Sequence, residues 1–164
     1  MYLPDLKQPT DPMGALTGAE TILVVDDNDS FRNIICTFLQ SGGYNILEAG
    51  TASEAATIVN SRAEMIDLVL TDVVLPEVNG DQLTDYLRFL FPKITVLYMS
   101  GYGNAANFQS VGSQAGAHML PKPFSKRTLL LAVAQLLHWR EQNSEKLIPP
   151  RAWNGIANSS HSLV

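Results

Sequence analysis

Four apolar residues, Ile22-Leu23-Val24-Val25, run unbroken into two aspartates, Asp26-Asp27. A short apolar run with β-branched members and no polar alternation fits a strand covered on both faces, as in a parallel sheet flanked by helices. Phe31, Ile34, Ile35, Phe38 and Leu39 then fall on one face of a helix. Asp29 or Ser30 is positioned to cap the start of that helix, and Gly42-Gly43 to end it.

The same alternation repeats. A strand is expected over 44–48, and a helix opens at Thr51 or Ser53, passes through Ala55, Ala56 and Val59, and ends near Arg62. A strand over 67–71 stops at Asp72. Leu83, Tyr86, Leu87 and Leu90 form a helical stripe closed by Pro92. A strand over 94–99 ends in Ser100-Gly101, a charge-poor helix over 104–114 is interrupted by Gly112, and a strand over 117–120 ends at Pro121. Leu129, Val133, Leu136 and Leu137 mark a last helix from Ser125 to about Trp139. Strand–helix units in series predict an α/β fold, a doubly wound parallel sheet with right-handed crossovers. For five units the flavodoxin-like (βα)5 order 2-1-3-4-5 is the favoured arrangement. Residues 1–19, with Pro4, Pro9, Pro12, Gly14 and Gly18, show no apolar period and read as a linker or irregular tail. The folded domain is expected over 20–140 and a second irregular tail over 141–164.

With 46% hydrophobic and 16% charged residues, the chain has the material for a core. Its formal net charge of -5 makes it a poor general partner for nucleic acid, and Lys122, Lys126 and Arg127 are too small a basic cluster to change that. The single cysteine, Cys36, lies inside an apolar helical pattern and reads as a buried core thiol, in keeping with a reducing, cytoplasmic location. Nothing approaches a run of about 18 apolar residues, so no membrane partner is expected, and no signal peptide is expected from the N-terminal residues.

In sheets of this class ligands bind beyond the carboxyl ends of the strands, where strand order reverses. There the first strand delivers Asp26 and Asp27, the third Asp72, the fourth Ser100 and the fifth Lys122. Three carboxylates held together repel one another unless a cation joins them. Mg²⁺, which takes a few carboxylate oxygens, waters and phosphate oxygens, suits such a site. A carboxylate can act as the nucleophile toward phosphorus. The group in transfer spreads charge over three oxygens, and Mg²⁺, Lys122 and the Ser100 hydroxyl could each meet one. Asp72, alone on the central strand, is the expected nucleophile, with Asp26 and Asp27 holding the metal. Each residue has a plainer reading: Asp-Asp as a helix start, Ser100-Gly101 as a turn, Lys122 as a solvated charge. It is their order, each at the end of its own strand, that points to chemistry.

Four segments carry this pattern: Ile22-Leu23-Val24-Val25-Asp26-Asp27; Thr71-Asp72-Val73-Val74-Leu75-Pro76-Glu77-Val78-Asn79-Gly80; Tyr98-Met99-Ser100-Gly101-Tyr102; and Pro121-Lys122-Pro123-Phe124. Together they resemble the receiver domain of two-component response regulators over residues 21–139. The resemblance implies that Asp72 is phosphorylated by a histidine kinase, and that Asp26, Asp27, Asp72 and the backbone carbonyl of Val74 bind Mg²⁺. Ser100 and Lys122 would contact the phosphoryl group, and Lys122-Pro123 resembles a bond that is cis in the family. It further implies a phosphoacceptor that assists its own phosphorylation and dephosphorylation rather than an enzyme. Output would pass to a downstream effector or a phosphotransfer histidine protein, without a DNA-binding domain. One departure stands out. Where receivers commonly carry a switching Tyr or Phe, three residues before the lysine, this chain has Met119, which can fill the gap but offers no hydroxyl. Tyr102 is a candidate substitute. The output face expected from segment 104–114, the fifth strand and the last helix, and any homodimer formed through it, therefore depart from the usual design. Met1-Tyr2-Leu3-Pro4, the Pro-rich spacer and the run from Glu20 to Asp27 resemble the junction in hybrid histidine kinases where a receiver follows the ATP-binding domain. Tyr98-Met99-Ser100-Gly101-Tyr102 is similar to receivers of that type, which implies a stand-alone receiver descended from, or truncated from, a hybrid kinase.

Other readings fit the residues less well. A haloacid-dehalogenase-like phosphatase shares the aspartyl nucleophile and Mg²⁺ but places a second aspartate two residues on, where this chain has Val74. Gly101-Tyr102-Gly103 is an isolated G-x-G with no third glycine for a nucleotide site. His118, His138 and His161 share no metal-ligand spacing. A degenerate receiver that binds without being phosphorylated remains the alternative within the resemblance.

Overall fold

The β1 run Thr21–Val25 fulfils its pattern: Ile22, Leu23, Val24 and Val25 are all fully buried in a computed structural model of the chain. Burying side chains of this size contributes roughly 1.5–3 kcal/mol each, before the entropy cost of ordering them. The structure describes residues 20–76, 78, 80–92, 94–101 and 118–143. Following β1 come α1 (Asp29–Ser41), β2 (Asn45–Ala49), α2 (Ala52–Arg62) with a 3₁₀ turn at Ala63–Met65, β3 (Leu68–Asp72), α3 (Gly80–Leu90), β4 (Thr95–Ser100), β5 (His118–Pro121) and α4 (Lys126–Asn143). The expected segment 104–114, Tyr102 and the tails over 1–19 and 144–164 lie outside the described residues.

The strands form one parallel sheet in the order β2-β1-β3-β4-β5, as the sequence pattern predicted. Because successive side chains point to opposite faces, the sheet carries two cores. Ile22, Val24, Leu68, Leu70, Leu97 and Met99 pack on one face with Ile35 and Leu39 of α1 and Leu129 and Val133 of α4. Leu23, Val25, Val69, Val96 and Tyr98 pack on the other with Ala55 and Val59 of α2 and Leu83 and Leu87 of α3. Cys36 is buried in the first core, as expected.

Several boundaries differ from expectation. The last four strands each begin and end one residue later than predicted, so Asp72 and Ser100 are strand residues rather than the residues that stop the strands. The ladder runs on past the apolar stretch: Val73 N–H donates to Met99 O at 3.0 Å and Lys122 N–H to Ser100 O at 2.6 Å. The cap of α1 is neither Asp29 nor Ser30 but Asn28, whose Oδ1 accepts from Phe31 N–H at 3.0 Å. Asp29 instead lies in the first turn, where its charge suits the helix dipole and pairs with Arg32. α4 continues past the expected end at Trp139 and the boundary at 140, reaching Asn143. Arg140 is held by Asp67, and no helix breaker intervenes. Ile34 is half-exposed rather than part of the α1 core face.

Candidate functional site

β1, β3, β4 and β5 lie side by side, so the residues at their carboxyl ends are brought to one edge. Asp26 follows β1 and remains tied to the sheet by its N–H, which donates to Ala49 O at 3.2 Å. Asp72 and Ser100 close β3 and β4, and Lys122 directly follows β5 and precedes the cis Lys122-Pro123 bond.

The Lys122 ammonium gathers the group. Its Nζ donates to Asp26 Oδ2 at 3.1 Å and to Asp72 Oδ2 at 2.5 Å. Asp26 is 1% exposed, so its charge is out of water and requires such a partner. The other two oxygens are held by backbone. Asp26 Oδ1 accepts from Asn28 N–H and Asp72 Oδ1 from Val74 N–H, each at 2.9 Å. All four carboxylate oxygens are thus engaged, which fixes the planes of both groups. Ser100, 2% exposed, sits on the strand between Asp72 and the Lys122 backbone.

The structure brings two of the three expected carboxylates into this ion-paired group. Asp27 is exposed beside them. Among the described residues no three acidic, histidine or cysteine side chains converge to hold a metal by themselves. Yet Asp26 and Asp72 already aim oxygens at one cation, and hard carboxylate oxygens are what Mg²⁺ takes while keeping several waters. The donor set therefore fits that ion. Met119 is half-buried, stands opposite Tyr98 in the β4–β5 ladder and packs on the second core.

The first turn of α1 adds residues that the sequence reading did not assign to the site. Asn28 links the acidic turn to the helix through the two hydrogen bonds given above. Phe31 lies under the Lys122 ammonium, 4.2 Å from ring centroid to Nζ, and meets Phe124 edge-on at 6.0 Å. Arg32 donates from one nitrogen to the Asp26 carbonyl at 2.6 Å and from another to Asp29 Oδ1 at 2.7 Å, and its Nε stands 3.5 Å from Glu48. Burial works against the Arg32 charge, but the carboxylates of Asp29 and Glu48 more than offset it and raise the guanidinium's pKa. The available signal was position alone: these residues directly follow the Asp-Asp turn on the helix that must pack beside it.

Comparison with known proteins places this geometry in context. The family model described as "Response regulator receiver domain" matches residues 22–134. The chain is 37% identical over 122 residues to the sensor kinase CckA of Brucella abortus, covering 74% of this chain and 13% of that protein. It is 35% identical to the response regulator protein FleR of Pseudomonas aeruginosa, covering 71% of this chain and 24% of that one. Among solved structures, a response regulator receiver domain protein from Clostridium thermocellum is similar with a TM-score of 0.70 at 25% identity, covering 75% of this chain and 98% of that one. The receiver domain of the hybrid histidine kinase CckA gives a TM-score of 0.61 at 32% identity, covering 71% and 98%. The chain thus spans a small part of those two curated relatives and almost the whole of the two solved receiver chains.

Proposed function

Because the chain belongs to the response regulator receiver domain family of two-component systems, we propose that it takes a phosphoryl group onto Asp72 from a phosphohistidine of a histidine kinase. The observation that carries this reading is the bridging of Asp26 and Asp72 by the Lys122 ammonium at the carboxyl edge of the sheet. In the transfer, a carboxylate oxygen of Asp72 forms a bond to phosphorus as the donor's P–N bond breaks, and the electron pair leaves with the imidazole nitrogen. The Val74 N–H holds Asp72 Oδ1 and so orients the carboxylate for attack. Lys122, poised on Asp72, offsets the negative charge of the arriving phosphoryl oxygens, and Ser100 is placed one strand over to donate a hydrogen bond to another. Mg²⁺, held by Asp26, Asp27, Asp72 and the Val74 carbonyl, would neutralise the remaining charge.

The protein assists this change in itself and turns over no external substrate. Phosphorylation adds charge and acceptor oxygens at a packed edge. It shifts the balance between two surface shapes, read by an effector protein or relayed to a phosphotransfer histidine. Because Met119 lacks a hydroxyl, the readout relies on packing beside Tyr98 rather than on a hydrogen bond from the residue three places before the lysine.

Purified protein is incubated with Mg²⁺ and acetyl phosphate, and intact mass is followed with Asp72→Asn as control. We expect a phosphate-sized gain in the wild type alone, abolished by chelating Mg²⁺. A folded wild type that gains nothing from acetyl phosphate or from a histidine kinase would overturn the phosphoacceptor reading in favour of a receiver that acts by binding alone.

A further inference from the structure

We propose that Phe31 is a positioning residue for Lys122, and that its ring face helps set the rate at which Asp72 accepts a phosphoryl group. The proposal rests on the phosphoacceptor reading above but stands on its own geometry. The Lys122 ammonium has two carboxylate partners, Asp26 and Asp72, and its Nζ also lies 4.2 Å from the centroid of the Phe31 ring. That is within the range at which a cation is attracted to the negative face of an aromatic ring, and the attraction strengthens as water is excluded. The Lys122 side chain is only 21% exposed. Phe124, close after Lys122 in the chain, meets Phe31 edge-on and limits the ring's tilt.

Two carboxylates alone would leave the ammonium free to swing between them and solvent on its flexible stem. The ring closes the remaining side and keeps the charge over Asp72. Phe31 is anchored in turn, since its N–H is the donor to the capping Asn28 Oδ1, and its neighbour Arg32 holds the Asp26 carbonyl. The first turn of α1 is therefore built against both Asp26 and the Lys122 ammonium.

The test is progressive fluorination of the ring at position 31, which drains the negative ring face with little change in shape. It is combined with Phe31→Leu and Phe31→Trp, and read as the rate of phosphorylation by acetyl phosphate. We expect the rate to fall stepwise with fluorine number, to fall roughly three- to tenfold in Phe31→Leu, and to be retained in Phe31→Trp. A flat series in a protein that phosphorylates normally overturns the proposal. A second readout needs no phosphorylation: the proton resonances of the Lys122 Cε methylene, shifted by the ring current in wild type, should move toward ordinary lysine values in Phe31→Leu. Should wild type itself take no phosphoryl group, the phosphoacceptor reading fails, and the resonance shift alone decides whether Phe31 positions Lys122.

Discussion

Asn28 holds the acidic turn from both sides, giving its N–H to Asp26 Oδ1 and taking that of Phe31 on its own Oδ1. Removing the second bond in Asn28→Ala leaves an unpaired donor at the helix start, and we expect a loss of about 1 kcal/mol in a urea titration. Asn28→Ser, which keeps an acceptor, should recover most of that loss. The same turn shows what a sequence reveals about single residues. Asp26, Asp72, Ser100 and Lys122 could be picked out because each interrupts an apolar run at the end of a strand, and the parallel order of strands then forces them to one edge. Asn28, Phe31 and Arg32 gave no such signal. Asn28 is one of several adjacent residues able to cap, Phe31 also fits the ordinary apolar face of α1, and Arg32 acts on a backbone carbonyl that no side-chain pattern records. The exposure of Asp27 is likewise illegible in a pair of identical neighbours.

Elements were easier to read than their limits. A strand continues for as long as its neighbour offers ladder partners, so a polar residue at the tip stays paired even though hydrophobicity has ended. That accounts for the later carboxyl ends of β3 and β4, at Asp72 and Ser100. The end of α1 was legible because it rests on backbone geometry. Gly43 adopts φ 91°, and the N–H groups of Gly43 and Tyr44 donate to the carbonyls of Gln40 and Leu39. An alanine there is strained by its Cβ. Gly43→Ala should cost roughly 1–2 kcal/mol, seen as a lower thermal midpoint with unchanged phosphorylation. The extension of α4 to Asn143 was not legible, because what supports it is an ion pair from Arg140 to a residue on the far side of the chain, Asp67. The exposure of Ile34 reflects a periodic stripe wider than the neighbouring elements cover.

For the molecule as a whole, two buried groups make stability fall at alkaline pH. Burial, and to a lesser degree Glu48, push the Cys36 thiol up to about 12. Burial, and then Glu20, push the Tyr44 phenol up to about 12. Each is held neutral in the fold and ionises earlier in the unfolded chain, near 9.0 and 10.0 respectively. Above those values the unfolded state binds fewer protons than the folded one, so stability is complete below about pH 9 and is lost as pH rises toward about 12. Urea midpoints measured across this range should begin to fall near pH 9, and in Cys36→Ala the onset should move up toward pH 10. The deep interior around these groups was legible in outline, since the apolar periods predicted the strand–helix alternation, and the order of the sheet followed from the arrangement favoured for five such units. The far end of the sheet was not. There Asp67 accepts from Thr21 N–H at 2.8 Å and from Arg140 at 2.6 Å, joining the start of β1 to the end of α4. The described domain is thereby bipolar: its reactive groups occupy one pole, while its first strand and last helix are fastened at the other. A load pulling on both ends of the domain would be borne at that Asp67 clasp, and the charged cluster at the opposite pole would lie outside the line of force.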